Sequence, residues 1–266
     1  MRENEKTGAN QYYFRVEKVL HEKMITEQII KNIYEAGRRR TNILVFPEML
    51  GTRNMLDMII DELSDRDNGD IPQLVVFPSI WEKTENDVNN VNKSCMILNG
   101  EEILFEQNKY CDFNYEWNDQ PVYEDINRTD KNSRCIHLLH VEGLGRICII
   151  ICYDYLDTDN RDVLIKNLYP TLVCSPSFST GSFNFGILAE SYFSQGCNWI
   201  WCNTCSAAHE TAKKQNFEIV GLMTTLNKHC DLTKLDEIKT LCNGQINCNK
   251  ETCDNCIYYA DIPLTV

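Results

Sequence analysis

The chain has 266 residues, of which 43% are apolar and 24% are charged, enough for one large α/β domain with a sizeable core. Its formal net charge of −13 argues against direct nucleic-acid binding, because surfaces that bind phosphate backbones are basic. No apolar stretch approaches the length of a membrane span, and the first residues are charged rather than signal-like. We therefore expect a cytoplasmic protein without a membrane segment.

The 14 cysteines are many for a chain of this length. Free cysteine is among the most buried residue types. Several of these cysteines lie in apolar segments typical of core strands, namely Cys95, Cys148, Cys174 and Cys202. Because the chain is too long and its core too rich for a disulfide scaffold, we expect reduced cysteines, in agreement with a cytosolic protein.

Hydrophobic periodicity predicts alternating strands and helices in the first half of the chain. The predicted elements are a strand over 12–16, a helix over 24–36, a strand over 43–46, a helix over 54–63 and a strand over 73–77. Gly37 is expected to end the first helix. Asn99-Gly100 predicts a tight turn that joins strands over 94–98 and 102–106. The acidic, aromatic segment 111–131 has little periodicity and predicts a long loop.

The second half repeats this mixture of hairpins and strand–helix units. A hairpin is predicted over 135–141 and 146–151, with Gly143 and Gly145 in its turn. It is followed by a helix over 160–168, a strand over 171–174, a helix over 185–195 and a strand over 198–202. Hairpins interleaved with strand–helix units imply mixed rather than purely parallel sheets.

Three predicted strands end in residues that can take part in chemistry. The apolar run 147–151 leads to Cys152 at a sharp polar break, where a thiol at a sheet edge is well placed as a nucleophile. Strand context alone favours the other interpretation, that Cys152 is one more buried cysteine in a core strand. Glu48 follows the strand over 43–46, and Lys109 follows a strand that begins at residue 102.

In this chain order, Glu48, Lys109 and Cys152 resemble the catalytic triad of the nitrilase, or carbon–nitrogen hydrolase, superfamily. Further similar segments are 92–101, Cys202-Asn203 and 259–264, and the resemblance extends from about residue 29 to the last residue. It implies a four-layer αββα sandwich with mixed sheets, formed by one domain over 1–266. That domain is either the whole protein or one part of a larger one.

The resemblance implies a cysteine-dependent hydrolase of non-peptide C–N bonds, amidase- or carbamoylase-like, that acts on a small amide or a related compound without a cofactor. Cys152 is expected to form a thioester, Lys109 to stabilise charge on the substrate oxygen, and Glu48 to shuttle protons. Many members of the superfamily add a second glutamate after the lysine. Glu116 is the first candidate for it, and Glu124 is the fallback.

Other residues are expected to shape the site and the assembly. Tyr153 follows the nucleophile, and Ser177 and Phe178 lie in a small-residue loop at another strand end, so these three are the candidate substrate contacts. Asp154 is expected to orient backbone rather than to react. The resemblance also implies at least a homodimer through the segment 160–168, with Val163 and Leu164 facing the partner.

Two alternatives remain open at this stage. The first is a nitrilase-fold scaffold or sensing module in a larger, for example defence-associated, protein with little or no hydrolase activity. The second concerns an atypical cysteine-rich insertion over 227–256. Its Cys253 and Cys256 have the two-residue gap of a zinc site, and Cys242 or Cys248 could add ligands. The competing interpretation of these four is reduced cysteines on an inserted loop.

Overall fold

The computed structural model describes residues 12–64, 70–83, 90–126, 133–179, 183–191, 195–204, 219–224, 235–239 and 259. The helices are α1 (Glu22–Arg38), α2 (Arg53–Ser64), α3 (Tyr153–Leu156), α4 (Thr158–Val163), which a π-helical turn continues over Leu164–Leu168, and α5 (Phe183–Ser191). The strands of the first half are β1 (Tyr12–Phe14), β2 (Ile43–Val45), β3 (Leu74–Val76), β4 (Ile80–Lys83), β5 (Asn90–Leu98), β6 (Glu102–Asn108), β7 (Asn114–Trp117) and β8 (Gln120–Glu124). Those of the second half are β9 (Leu139–Val141), β10 (Gly145–Ile149), β11 (Leu172–Pro176), β12 (Asn198–Cys202), β13 (Ile219–Thr224) and β14 (Leu235–Lys239).

Two large mixed sheets form the centre of the fold. In the first, β2 and β3 are parallel, β5 runs antiparallel to β3 and β4, and β6 pairs with the other edge of β5. The second has the order β14-β13-β12-β11-β10-β9, in which β10, β11 and β12 are parallel. Strands β1, β8 and β7, in that order, form a small third sheet that among the described residues pairs with neither large sheet. The predicted mixed pairing is therefore observed.

The two large sheets pack face to face between helices. Val76 and Met96 of the first sheet share one core with Ile149 and Leu172 of the second. The opposite face of the first sheet packs on α1 and α2, for example through Val75. Because strand residues alternate between faces, neighbouring residues such as Val75 and Val76 serve different cores.

The outer face of the second sheet packs against an aromatic group from the α3–α5 side. Trp199 stacks on Tyr155 of α3 with ring centroids 4.8 Å apart, and Trp201 lies 5.2 Å from Phe185 of α5. The helical segments thus cover this face as α1 and α2 cover the other. The four-layer αββα sandwich expected from the sequence is confirmed.

The segment expected to be a long loop forms a hairpin instead. Strands β7 and β8 pair antiparallel, and Asn118 and Asp119 make the turn with φ of 51° and 59°. Asparagine and aspartate tolerate this left-handed backbone, so a two-residue turn forms here without glycine. The expectation of a structureless segment over 111–131 was wrong for the residues of this hairpin.

Gly37 has a different role from the one expected. It does not end α1, which continues to Arg38, and it is buried inside the helix. A Cβ at Gly37 would lie 1.9 Å from the backbone oxygen of Asp70, so glycine allows two backbones to approach closely. The helix predicted over 160–168 begins earlier, at Thr158 of α4, and a separate short helix, α3, precedes it directly after Cys152.

Besides β7 and β8, sequence patterns missed three further strands. These are β4, β13 and β14, the last of which falls inside the segment expected to be a cysteine-rich insertion. The candidate zinc ligands Cys242, Cys248, Cys253 and Cys256 lie outside the described residues. Within the described ranges, no group of His, Cys, Asp or Glu side chains could hold a metal ion. None of the helices described is long and apolar enough to cross a membrane.

Candidate active site

The ends of four strands meet at one edge of the sandwich. After β2, the backbone N–H of Glu48 donates to the oxygen of Ser177, which follows β11, at 3.3 Å. After β10, the N–H of Cys152 donates to Pro176 O at 2.9 Å. Lys109 follows β6, and its N–H donates to Asn92 O of β5 at 2.8 Å. These main-chain bonds bring strand ends from both sheets together.

Lys109 lies between two buried carboxylates. Its Nζ donates to Glu48 Oε1 at 2.8 Å and to Glu124 Oε2 at 2.7 Å. Burial opposes the ammonium charge, but Glu124, Glu48 and Cys152 outweigh this and raise the pKa of Lys109 well above its usual range. The lysine is therefore a fixed cation at neutral pH. Glu48, Lys109, Glu124 and Cys152 are called the inner cluster below.

Glu48 accepts hydrogen bonds at both carboxylate oxygens. Besides Lys109, Asn92 Nδ2 donates to Oε1 at 2.8 Å, and the backbone N–H of Phe178 donates to Oε2 at 2.8 Å. The turn that carries Glu48 is held by the buried Ser79, whose Oγ accepts the N–H of Met49 at 2.8 Å. Such contacts at each oxygen fix the orientation of this carboxylate.

Cys152 occupies a strained backbone position between β10 and α3. Its φ of 45° and ψ of −110° are rare for a residue with a side chain, and such strain is common at functional sites. The Glu48 carboxylate and the N–H of Phe178 lie close enough to the thiol to shift its pKa. Burial and the Glu48 charge raise the pKa of Cys152, whereas Lys109 and the Phe178 N–H lower it. The thiol is therefore protonated at neutral pH, with Glu48 in place to accept its proton.

The second carboxylate of the inner cluster is Glu124, not Glu116. Glu116 is exposed on β7, where it pairs with Pro121. Glu124 ends β8 on the buried face of the hairpin, and it also accepts the N–H of Phe113 at 3.0 Å. Burial, together with Glu48, raises the pKa of Glu124 against the opposing effect of Lys109. The placement expected for Glu116 is thus corrected by the hairpin that the sequence did not predict.

Asp154 ties the residues after Lys109 to the helix after Cys152. Its carboxylate accepts the backbone N–H of Tyr110 at 2.9 Å and that of Cys111 at 2.6 Å. Burial raises the pKa of Asp154 to about 7, although these N–H donors and the Lys109 charge lower it. The contacts are those of a residue that orients backbone, as the sequence suggested.

The three predicted substrate contacts lie beside the inner cluster. The half-buried Tyr153 ring packs edge-on against Phe113, with centroids 5.9 Å apart. Ser177 is buried, and Phe178 contributes its backbone N–H rather than its ring to the carboxylate. Whether any of the three touches a substrate remains a prediction.

Two asparagines near the site lie in the segments 92–101 and Cys202-Asn203, and neither had a predicted role. Asn203 follows β12 and clamps Ser179, accepting its N–H at 2.9 Å and donating to its oxygen at 2.8 Å. This holds the loop that presents the Phe178 N–H. Asn92 is a fully buried polar residue in a strand. A polar residue within a buried strand is the feature that could have identified it as part of the site.

The fold is similar to that of several solved structures, all of low sequence identity. One is a mutant of the amidase from Nesterenkonia sp. AN1 that shows Michael addition of acrylamide at its active-site cysteine. Its sequence is 15% identical, its TM-score is 0.54, and the match covers 74% of this chain and 77% of that chain. Saccharomyces cerevisiae Nit3, a member of branch 10 of the nitrilase superfamily, is 17% identical with a TM-score of 0.51, covering 68% and 70%. The C. elegans NitFhit protein is 15% identical with a TM-score of 0.52, covering 71% and 49%.

These likenesses show that the chain shares the fold of these structures, one of which is a described member of the nitrilase superfamily. No protein-family model matches the sequence, and no curated protein matches it significantly.

Proposed function

We propose that the protein hydrolyses a non-peptide C–N bond of a small amide through a thioester on Cys152. The observation that carries the proposal is the Glu48 carboxylate, which accepts a hydrogen bond from the Lys109 ammonium and lies close enough to the Cys152 thiol to raise its pKa. A nucleophile, a proton acceptor and a fixed cation are the groups that acyl transfer requires. The amidase of similar fold, whose cysteine reacts with acrylamide, agrees with this proposal.

The first step forms the thioester. Glu48 accepts the thiol proton while the sulfur attacks the substrate carbonyl carbon, and the carbonyl electron pair moves onto oxygen. Lys109 has three N–H donors, and its two carboxylate contacts leave a third for that oxygen. Among the backbone bonds of the described residues, none uses the N–H of Tyr153, which is a second donor candidate. When the oxyanion collapses, the C–N bond breaks and the amine leaves with the proton held by Glu48.

The second step hydrolyses the thioester. Glu48 accepts a proton from water, and the resulting hydroxide attacks the acyl carbon. Collapse of this intermediate breaks the C–S bond, releases the acid and returns the proton to sulfur. Glu124 does not need to exchange a proton in either step. It holds the ammonium of Lys109 at 2.7 Å and so keeps the cation in position.

Ammonia release from a panel of amides, carbamoyl compounds and nitriles tests this proposal. We expect release from at least one class by the natural protein and none above background by Cys152→Ala. The variant loses only one sulfur atom, so it should remain folded, with stability lowered by no more than ~1–2 kcal/mol. Equal rates for the two folded proteins would contradict the proposal.

A further inference from the structure

Asn92 contacts three parts of the inner cluster at once. Its side-chain Nδ2 donates to Glu48 Oε1 at 2.8 Å and to Glu124 Oε1 at 3.2 Å. Its backbone oxygen accepts the N–H of Lys109 at 2.8 Å. The residue is fully buried, so these bonds form away from water. One uncharged residue thus links both carboxylates and the strand end that carries the cation.

The orientation of this amide is set by charge rather than by its own hydrogen-bonding needs. Asn92 Oδ1 is buried and has no hydrogen-bond partner among the described residues. Rotating the amide by half a turn would place that oxygen against the Glu48 and Glu124 carboxylates, which is unfavourable. A purely structural asparagine would be expected to satisfy both ends of its amide. Here the donor end serves the carboxylates while the acceptor end stays unsatisfied.

The inner cluster needs such a donor because its formal charges do not balance. Glu48 is faced by the Lys109 cation, by the Glu124 carboxylate and by the Cys152 thiol, together with the uncharged Asn92 amide and the Phe178 N–H. One cation against two carboxylates favours protonation of one carboxylate in a buried site. A donor shared by both stabilises their ionised forms without adding a group that titrates.

We propose that Asn92 is a positioning residue that holds the Glu48 carboxylate aimed at the Cys152 thiol. This rests on the proposed function, because it assigns Glu48 the task of taking the thiol proton. Loss of the amide should raise the pH at which the Cys152 thiol becomes reactive. A residue that only supported β5 would not change this pH dependence.

The pH profile of Cys152 alkylation by iodoacetamide tests the assignment without a substrate. We compare the natural protein, Asn92→Ala and the control Ser94→Ala. Ser94 lies two residues along the same strand and face, and its buried hydroxyl donates to Phe77 O at 2.6 Å, outside the inner cluster. The acid limb of the profile should move to higher pH by about one unit in Asn92→Ala, since a bond to a charged group is lost. It should stay in place in Ser94→Ala.

Each outcome is decisive. An unshifted limb in folded Asn92→Ala, or an equal shift in Ser94→Ala, overturns the role of Asn92. If Asn92→Ala does not fold, Asn92→Ser keeps a shorter donor and should show a smaller shift in the same direction, and no shift there overturns the role.

If Cys152 of the natural protein is not alkylated at any pH, the proposed function fails instead. The role of Asn92 is then read from carboxyl titration by ¹³C NMR of glutamate-labelled protein, with Glu48→Gln and Glu124→Gln to assign the signals. Unchanged titration of these two carboxyls in Asn92→Ala would overturn it.

Discussion

Two clusters of charged side chains lie at the β5–β6 hairpin, and they differ in burial and in charge balance. The inner cluster holds Lys109 with two carboxylates, and no member is more than 5% exposed. The outer cluster consists of Arg53, Glu82, Lys93 and Glu106, two cations with two carboxylates, all partly exposed. Lys93 Nζ lies 2.7 Å from Glu106 Oε2, much as Lys109 lies from Glu124.

Ion pairs of similar geometry therefore have different roles in the two clusters, although neighbouring residues of one strand contact them. Asn92 and Lys93 point to opposite faces of β5, the first to the inner and the second to the outer cluster. Balanced, partly hydrated pairs contribute little to stability or to chemistry. The inner cluster is buried, has excess negative charge and lies against a thiol, which are conditions that favour proton transfer.

The largest contrast should follow removal of the two lysines. Lys109→Met leaves two buried carboxylates facing each other and should lower the free energy of unfolding by roughly 3–5 kcal/mol at pH 7. Lys93→Met, in the outer cluster, should lower it by about 1 kcal/mol or less. Urea unfolding of both variants measures the difference. Equal losses of stability would contradict the distinction between a buried, unbalanced inner cluster and a hydrated outer one.

The pH dependence of the Lys109→Met loss sharpens this test. Burial and Glu48 already raise the pKa of Glu124, and without the opposing Lys109 cation that pKa rises further. Protonation of Glu124 is then favoured in the folded state, so stability returns as the pH falls through the raised pKa. The loss should therefore be smaller at pH 5 than at pH 8. A loss independent of pH would argue against two facing carboxylates.

Replacing the two candidate glutamates should change kcat/KM to very different extents. Glu124→Gln removes a carboxylate bond to Lys109 and should lower kcat/KM by about 100-fold, as expected when a group that acts on the substrate is misplaced. Glu116→Gln alters an exposed position on β7 and should leave kcat/KM unchanged. Steady-state kinetics on an amide that the natural protein hydrolyses decides between them. A large effect of Glu116→Gln would restore the placement expected from the sequence.

Asp154 provides a smaller, pH-dependent test of the framework around the inner cluster. Its folded-state pKa of about 7 is raised above the unfolded value by burial, so its stabilising effect is fully present at low pH and is lost as the pH rises through about 7. In Asp154→Asn this component of the pH dependence should disappear. Urea unfolding at pH 5 and pH 8 provides the measurement, and an unchanged difference between the two pH values would contradict it.

The smallest expected effect concerns assembly. Val163 is 58% exposed on α4, whereas Leu164, which the sequence placed at the partner, is buried in the core. If α4 contributes to a homodimer, Val163→Glu should weaken self-association while leaving the fold intact. Light scattering over a range of protein concentrations measures this. A monomer at all concentrations in the natural protein would remove the basis for the expectation.

Local patterns predicted much of the fold, and they failed where the signal was weak or distant. Buried runs such as 147–151 and the Asn99-Gly100 turn were recognisable from sequence alone. The Asn118-Asp119 turn was missed because it has no glycine, and its hairpin decides which glutamate becomes buried. A local pattern could not show that Gly37 closely approaches Asp70, since that contact joins residues far apart in the chain.

The residues of the candidate site likewise divide into those that local sequence patterns predict and those that only the assembled fold defines. Its strand-end residues Glu48, Lys109 and Cys152 could be predicted from sequence because each follows a predicted strand and their chain order resembles the triad of the superfamily. The linking role of Asn92 depends on β5 lying between the ends of β2, β6 and β8, which only the assembled sheets define. Polar residues at buried strand positions are thus the feature to examine when strand-end residues suggest an active site.

The most direct test of the central claim is the rate of alkylation at individual cysteines, measured by peptide mass spectrometry at neutral pH. The account predicts that Cys152 reacts faster in the natural protein than in Glu48→Gln, because Glu48 takes the thiol proton. The buried Cys148 and Cys174 should stay unmodified in both, and the exposed Cys135 should react equally in both. Labelling of Cys152 as slow as that of Cys148, or unaffected by Glu48→Gln, would contradict the account and favour a nitrilase-fold scaffold without hydrolase activity.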